Sequence, residues 1–297
     1  MVRLEIQSVK HSYSLTATQS NAPTLVFIHG WLLSRHYWQP LVEHLAPSYR
    51  CLSYDLRGFG GSQFSLDTRP TRFSCYTPES YAEDLMVLLK KLEIDRAWLV
   101  GHSLGGTIAL FGADKLPGQV QGVICINSGG GIYLKEEFER FRAAGEQIVK
   151  FRPPWLRRLP LVDAVFARSQ VDRPLKREWG RQRLIDFVAA HPEAALGALL
   201  DSTTEAEVHR LPRLVTQLQQ PVYFITGEKD RVMEPKYVRH LASFHWLFRQ
   251  GEDNVLEIPN CGHLAMVEYP DIVAAHVQKI LAQYSEYPTE KTTAHNC

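Results

Sequence analysis

At 297 residues, 45% of them apolar and 22% charged, the chain has the material of one large soluble α/β domain with a sizeable core. Its formal net charge of +1 offers no field for holding nucleic acid, and no run approaches the ~18 apolar residues of a membrane-spanning helix. Five cysteines (51, 75, 125, 261 and 297) are scattered and odd in number, so neither a disulfide framework nor a metal knuckle is expected. A reducing, cytoplasmic compartment fits that usage and an N-terminus without a charged-then-apolar leader pattern.

Along the chain, MVRLEIQSVKHSYSLTATQS reads as early strands, and short buried-strand patterns follow at 25–30, 50–55, 97–101, 122–127, 222–227 and 254–259. Each ends in Gly, Asp, Asn or Pro, as strand ends do. Helical patterns such as YWQPLVEHLA (37–46) and ESYAEDLMVLLKKLE (79–93) lie between the first four. This alternation predicts a parallel sheet with helices on both faces. The rhythm breaks over residues 128–220, a stretch of helical pattern without a convincing strand. The expected division is therefore a core from 1–127 and 221–284, a helical lid at 128–220, and a polar, disordered tail at 285–297.

LVGHSLGGTIAL (99–110) places Ser103 between Gly101 and Gly105, where an apolar strand runs into an apolar helix. A strand that reverses sharply into a helix lifts one side chain above the sheet in a strained conformation. Residues two positions either side press against neighbouring backbone and must be small. The helix N-terminus then offers free N–H groups where an oxyanion would form.

A serine hydroxyl needs a base, and the base needs a carboxylate to fix its tautomer. His263 follows the strand NVLEIP through the loop NCG, and Asp230 follows the strand VYFITG. Both fall at the same edge of the sheet as Ser103, the edge where open α/β sheets bind ligands. Glu228, two residues before Asp230, is the rival acid. Two N–H donors would complete the chemistry: Leu104, after the serine, and Trp31, in the HGW loop (29–31) after an early strand. His29 is read as structural, its ring holding that loop.

Five blocks, HGW (29–31), DLRGFGGS (55–62), GHSLGG (101–106), GEKDRV (227–232) and GHLAMVEYP (262–270), run in order over nearly the whole chain. Together they resemble the α/β-hydrolase superfamily in its helical-cap class. The resemblance implies an α/β-hydrolase fold, a mostly parallel sheet with helices on both faces and an inserted helical lid. It also implies Ser103, Asp230 and His263 as catalytic residues, with no metal or organic cofactor. The serine at 103 departs from epoxide hydrolases and haloalkane dehalogenases, which carry aspartate there. The resemblance does not fix the substrate; the favoured activity is hydrolysis of an ester or related acyl bond of a small, substantially apolar substrate. The alternatives are carbon–carbon bond hydrolysis, a menaquinone-pathway-type lyase acting on an anionic substrate, or a non-catalytic binding protein. The last is disfavoured because all three residues and both flanking glycines are present.

Around these residues, His29, Gly30, His102, Met233 and Met266 are candidates for substrate contact. Within 135–183, thirteen basic residues stand against seven acidic ones, and FRPPWLRR (151–158) mixes Arg152, Arg157 and Arg158 with aromatic and apolar neighbours. Such a segment suits an anionic substrate or a peripheral contact with anionic lipid, although a charge run is often only a solvated face.

Overall fold

The computed structural model describes residues 2–17, 22–63, 76–129 and 135–284. Eight strands form one sheet: β1 (Val2–Ile6), β2 (Val9–Leu15), β3 (Thr24–Ile28), β4 (Cys51–Tyr54), β5 (Ala97–His102), β6 (Val120–Ile126), β7 (Val222–Gly227) and β8 (Val255–Ile258). They lie in the order β1-β2-β4-β3-β5-β6-β7-β8. The two N-terminal strands pair antiparallel at one edge, and every pairing from β4 to β8 is parallel. From β3 the chain crosses to β4 on one side and then to β5 on the other. A crevice opens at the carboxyl ends where the connections part. Ile28 of β3 is in register with Gly101 of β5, so the loops after these two strands leave the sheet side by side.

The central strands read as unbroken apolar runs because both faces of the sheet are covered. Alternate residues part to opposite sides. Val26, Ile28, Leu99, Val123 and Phe224 pack with helices α2 (Pro78–Lys91) and α3 (Leu104–Lys115). Leu25, Phe27, Trp98, Val100, Ile124 and Ile225 pack on the other side with α1 (Gln39–Leu45) and the C-terminal helix Pro270–Tyr284. Local signals set the helix ends. Thr77 accepts from the Ser80 N–H at 3.2 Å, Pro78 opens α2, and Lys90 and Lys91 stand in its last turn.

Between β6 and β7 the described residues hold only helical structure: α4 (Lys135–Lys150), α5 (Val162–Phe166), α6 (Arg177–Ala189), α7 (Pro192–Ser202) and α8 (Glu205–Gln217), with a 3₁₀ turn at Pro154–Arg158. Leu211, Leu214 and Val215 place α8 in the same core cluster as β6 and β7, with the helix Pro235–Ala242 beside it. The preceding helices are tied to the crevice. Trp31 Nε1 donates to Ala195 O at 2.7 Å, and Ser34 Oγ to Asp186 Oδ2 at 2.8 Å. The 285–297 tail, expected to be disordered, lies outside the described residues.

Candidate active site

Ser103 sits at the turn between β5 and α3 with φ 52 and ψ −119, a left-handed conformation that strains a residue bearing a Cβ. The surroundings hold it there. Its N–H donates to Ile126 O at 3.0 Å, and its carbonyl accepts from Gly106 N at 3.0 Å and from Ser128 Oγ at 2.8 Å. The flanking glycines are required by contact. A Cβ on Gly101 would lie 2.1 Å from Gly105 O, and one on Gly105 would lie 2.1 Å from Ile28 O. The turn closes only if both positions lack side chains.

His263 and Asp230 meet across 2.8 Å, Nδ1 to Oδ2. Burial pushes the Asp230 carboxyl upward, but the His263 imidazole and the N–H groups of Met233 and Val232 outweigh it and hold it below the usual aspartate range. An ionised carboxylate can only accept, so the His263 Nδ1 carries hydrogen and its Nε2 is left with a lone pair. Asp230 Oδ1 accepts from the Val232 and Met233 N–H groups at 2.8 and 2.9 Å, which fixes the carboxylate's rotation. Glu228, the rival acid, is exposed at the surface and bonds to Asn260 N and Lys229 instead.

Ser103 and His263 open into one cavity of about 440 Å³, together with Trp31, His102, Leu104 and Met233. Phe141, Ile148, Phe166, Phe187 and Leu199, from the insertion between β6 and β7, form an apolar wall. Among its described residues Arg183 is the sole Lys, Arg, Asp or Glu. That guanidinium donates to Phe166 O, Ser169 O and Gln170 Oε1. Leu104, at the first position of α3, has no carbonyl one turn back to accept its N–H. It lines the same cavity as Ser103 and Trp31.

Three residues support the arrangement without having been foreseen. Asn127 Nδ2 donates to Asp230 Oδ2 at 2.9 Å and to Gly262 O at 3.1 Å, joining the acid loop to the histidine loop. Ser128 holds the turn at Ser103 through its hydroxyl. Glu268 accepts from the backbone N–H groups of Gly262, Leu264, Asp172 and Arg173 at 2.9–3.2 Å. The one local signal was polarity: Asn127 and Ser128 end an otherwise apolar strand.

Other expected contacts divide. His29 is buried, its Nδ1 donating to Gly30 O at 2.8 Å and its Nε2 accepting from Leu56 N at 2.9 Å; it staples two loops, as read from the sequence. Gly30 is needed for close approach, since a Cβ there would lie 2.7 Å from His102 Nδ1. His102 lines the cavity, donates from Nε2 to His263 O at 2.7 Å, and is pushed down to about 3 by burial, which keeps it neutral. Met266 does not reach the cavity: it is fully buried in the core beneath the C-terminal helix. Arg152 is not in its wall either; it donates to the carbonyls of Val149, Phe187 and Ala190, and so braces the insertion. Arg157 and Arg158 face an outer groove with Trp155 and Arg181 rather than the Ser103 cavity. Helical charge patterning told which residues are basic, but not which side of the insertion they face.

The sequence family described as the alpha/beta hydrolase fold matches residues 23–270. The chain is 30% identical over 262 residues to 2-succinyl-6-hydroxy-2,4-cyclohexadiene-1-carboxylate synthase of Enterobacter sp. (strain 638), covering 87% of this chain and 92% of that one. It is 30% identical over 271 residues to pimeloyl-[acyl-carrier protein] methyl ester esterase of Xanthomonas axonopodis pv. citri (strain 306), covering 88% and 96%. In fold it superposes on a thermophilic esterase from Thermogutta terrifontis with a TM-score of 0.73 at 23% identity, over 95% of this chain and 99% of the other.

Proposed function

Since the chain belongs to the alpha/beta hydrolase family, we propose that it is a serine hydrolase cleaving an ester or related acyl bond of a largely apolar substrate through an acyl-enzyme. The observation that carries this reading is the His263–Asp230 contact of 2.8 Å opening onto the same cavity as the strained Ser103. Ser103 Oγ attacks the carbonyl carbon while His263 Nε2 takes its proton. The carbonyl electron pair moves to oxygen, where the N–H groups of Leu104 and Trp31 receive it. Collapse expels the leaving group, protonated by His263. Water, deprotonated by the same imidazole, releases the acid and restores Ser103. Asp230 orients the ring and stabilises the imidazolium. The helices over the crevice exclude bulk water and shape the acyl pocket.

The similarity to the cyclohexadiene carboxylate synthase supports a second reading, in which the same base abstracts a proton from an anionic substrate. Against it, the cavity's Arg183 already donates to three protein oxygens, which favours a neutral acyl substrate. A fluorophosphonate probe followed by peptide mass spectrometry is expected to label Ser103. A chain-length series of p-nitrophenyl esters, run beside an anionic vinylogous diketone, should show turnover of the esters. Turnover of the diketone alone would select the second reading.

A further inference from the structure

Ten large apolar side chains stand exposed among the described residues, and seven of them fall within 148–185: Ile148, Phe151, Trp155, Leu159, Leu161, Val165 and Ile185. Their exposure is extreme at the tips, 79% for Phe151, 67% for Leu161 and 65% for Val165. Scattered single apolar residues need no explanation, whereas a concentration of this kind marks a binding face. Leu161 also takes φ 65, a conformation leucine rarely adopts, at the N-terminus of α5. The backbone is held in strain where the side chain points outward.

The same stretch of chain is basic. Arg157 and Arg158 are exposed and share one groove with Trp155, Arg181, Leu184 and Ile185. No acidic residue lines that groove among the described residues; in the same stretch Asp163 binds Arg177, and Glu146 binds Lys150. Neither Arg157 nor Arg158 has an acidic partner among the described residues. A tryptophan beside unpaired arginines and protruding apolar tips suits the boundary between headgroups and acyl chains. There the ring lies at headgroup depth, apolar tips enter, and guanidinium groups meet anionic lipid.

We propose that the outer face of the helices between β6 and β7 docks on membranes containing anionic lipid and delivers membrane-borne acyl substrates to the Ser103 cavity. Ile148 joins the two halves, being exposed beside Phe151 and also part of the cavity wall. Helix α6 repeats the connection, with Leu184 and Ile185 on the outer groove and Arg183 and Phe187 on the cavity. Docking stands independently of the acyl-transfer reading; delivery rests on it.

The test is sedimentation of the full chain with vesicles of phosphatidylcholine alone or mixed with phosphatidylglycerol. Binding is expected to the mixed vesicles, and to fall when salt is raised to about 0.5 M. Arg157→Gln with Arg158→Gln should weaken it about 10- to 30-fold. Phe151→Ser with Trp155→Ser should abolish it, while both double variants hydrolyse a short soluble p-nitrophenyl ester within about twofold of the parent. Ser103→Ala should bind vesicles as the parent does, so failed acyl chemistry is not mistaken for failed docking. Equal binding to neutral and anionic vesicles, or no binding to either, overturns the proposal. So does a parent dimer that Phe151→Ser with Trp155→Ser dissolves without any vesicle binding, or retention on an acidic carrier protein in place of vesicles.

Discussion

The carboxylate of Asp230 and the imidazole of His263 are held by each other and also by the chain around them. Beyond their 2.8 Å contact, Asp230 accepts from Asn127 and two backbone N–H groups, while His263 N–H donates to Gln170 O. The pair is therefore preorganised, with the ring nitrogen facing the acid bearing the proton. Asp230→Asn would turn an amide towards that nitrogen and favour the wrong tautomer. We expect a folded protein whose kcat falls about 10⁴-fold. Glu228→Gln should stay within about twofold, because the Glu228 carboxylate is exposed and bonds to Asn260 N and Lys229 rather than to His263. Steady-state kinetics on both variants, with circular dichroism as the folding control, decide between the two acids.

Strain at position 103 gives a second expectation. A residue with a Cβ at φ 52 costs stability that glycine would not. Ser103→Gly should abolish turnover yet raise Tm by roughly 1–2 °C, corresponding to about 1 kcal/mol. Ser103→Ala should abolish turnover without that gain. Differential scanning calorimetry of the three proteins checks it, and equal Tm values for glycine and alanine would mean the turn is unstrained.

Much of this was legible beforehand because it is local. Strand stops just before Gly30 and Asp55 and at Gly227, and the glycine spacing around Ser103, follow from short-range sterics, so the loops carrying Trp31, Ser103, Asp230 and His263 could be placed on one edge. What escaped is held by long-range contacts. Asn127 meets Asp230 across 103 positions, and Glu268 gathers Asp172 across 96. No spacing rule encodes either. Met266 illustrates the converse: adjacency to His263 in sequence says nothing of direction, and the side chain turns into the core.

Asp186 supplies a pH prediction. Burial in α6 pushes its carboxyl up to about 6, although Gln182 and Ser34 donate to it. A carboxyl raised on folding favours the protonated form, so its contribution to stability is complete below the unfolded value of ~3.9 and is lost as pH rises through about 6. Asp186→Asn removes that ionisation and keeps an acceptor for Ser34. Relative to the variant, the parent should lose Tm between pH 4 and pH 7, measured by thermal scans across that range. Parallel curves would show that Asp186 ionises alike in both states.

Glu268 carries the last expectation. Its buried carboxylate accepts from Gly262 and Leu264, the two residues flanking His263, and from Asp172 and Arg173 in the insertion. It thus sets the His263 loop against the chain segment whose Gln170 carbonyl receives the His263 N–H at 2.8 Å. Glu268→Gln keeps the shape but replaces one acceptor oxygen with an NH₂ group, which would face backbone donors. Leaving one or two buried N–H groups unmatched costs about 1–3 kcal/mol each. Stability should therefore fall by a few kcal/mol. The imidazole, less firmly aimed, should lower kcat about 10-fold while KM for a short ester stays near the parent value, since Glu268 does not line the cavity. Assays well below the variant's Tm separate the two effects. A stability loss with unchanged kcat would make Glu268 a support of the fold alone, whereas a kcat loss at full folding makes it the residue that positions His263.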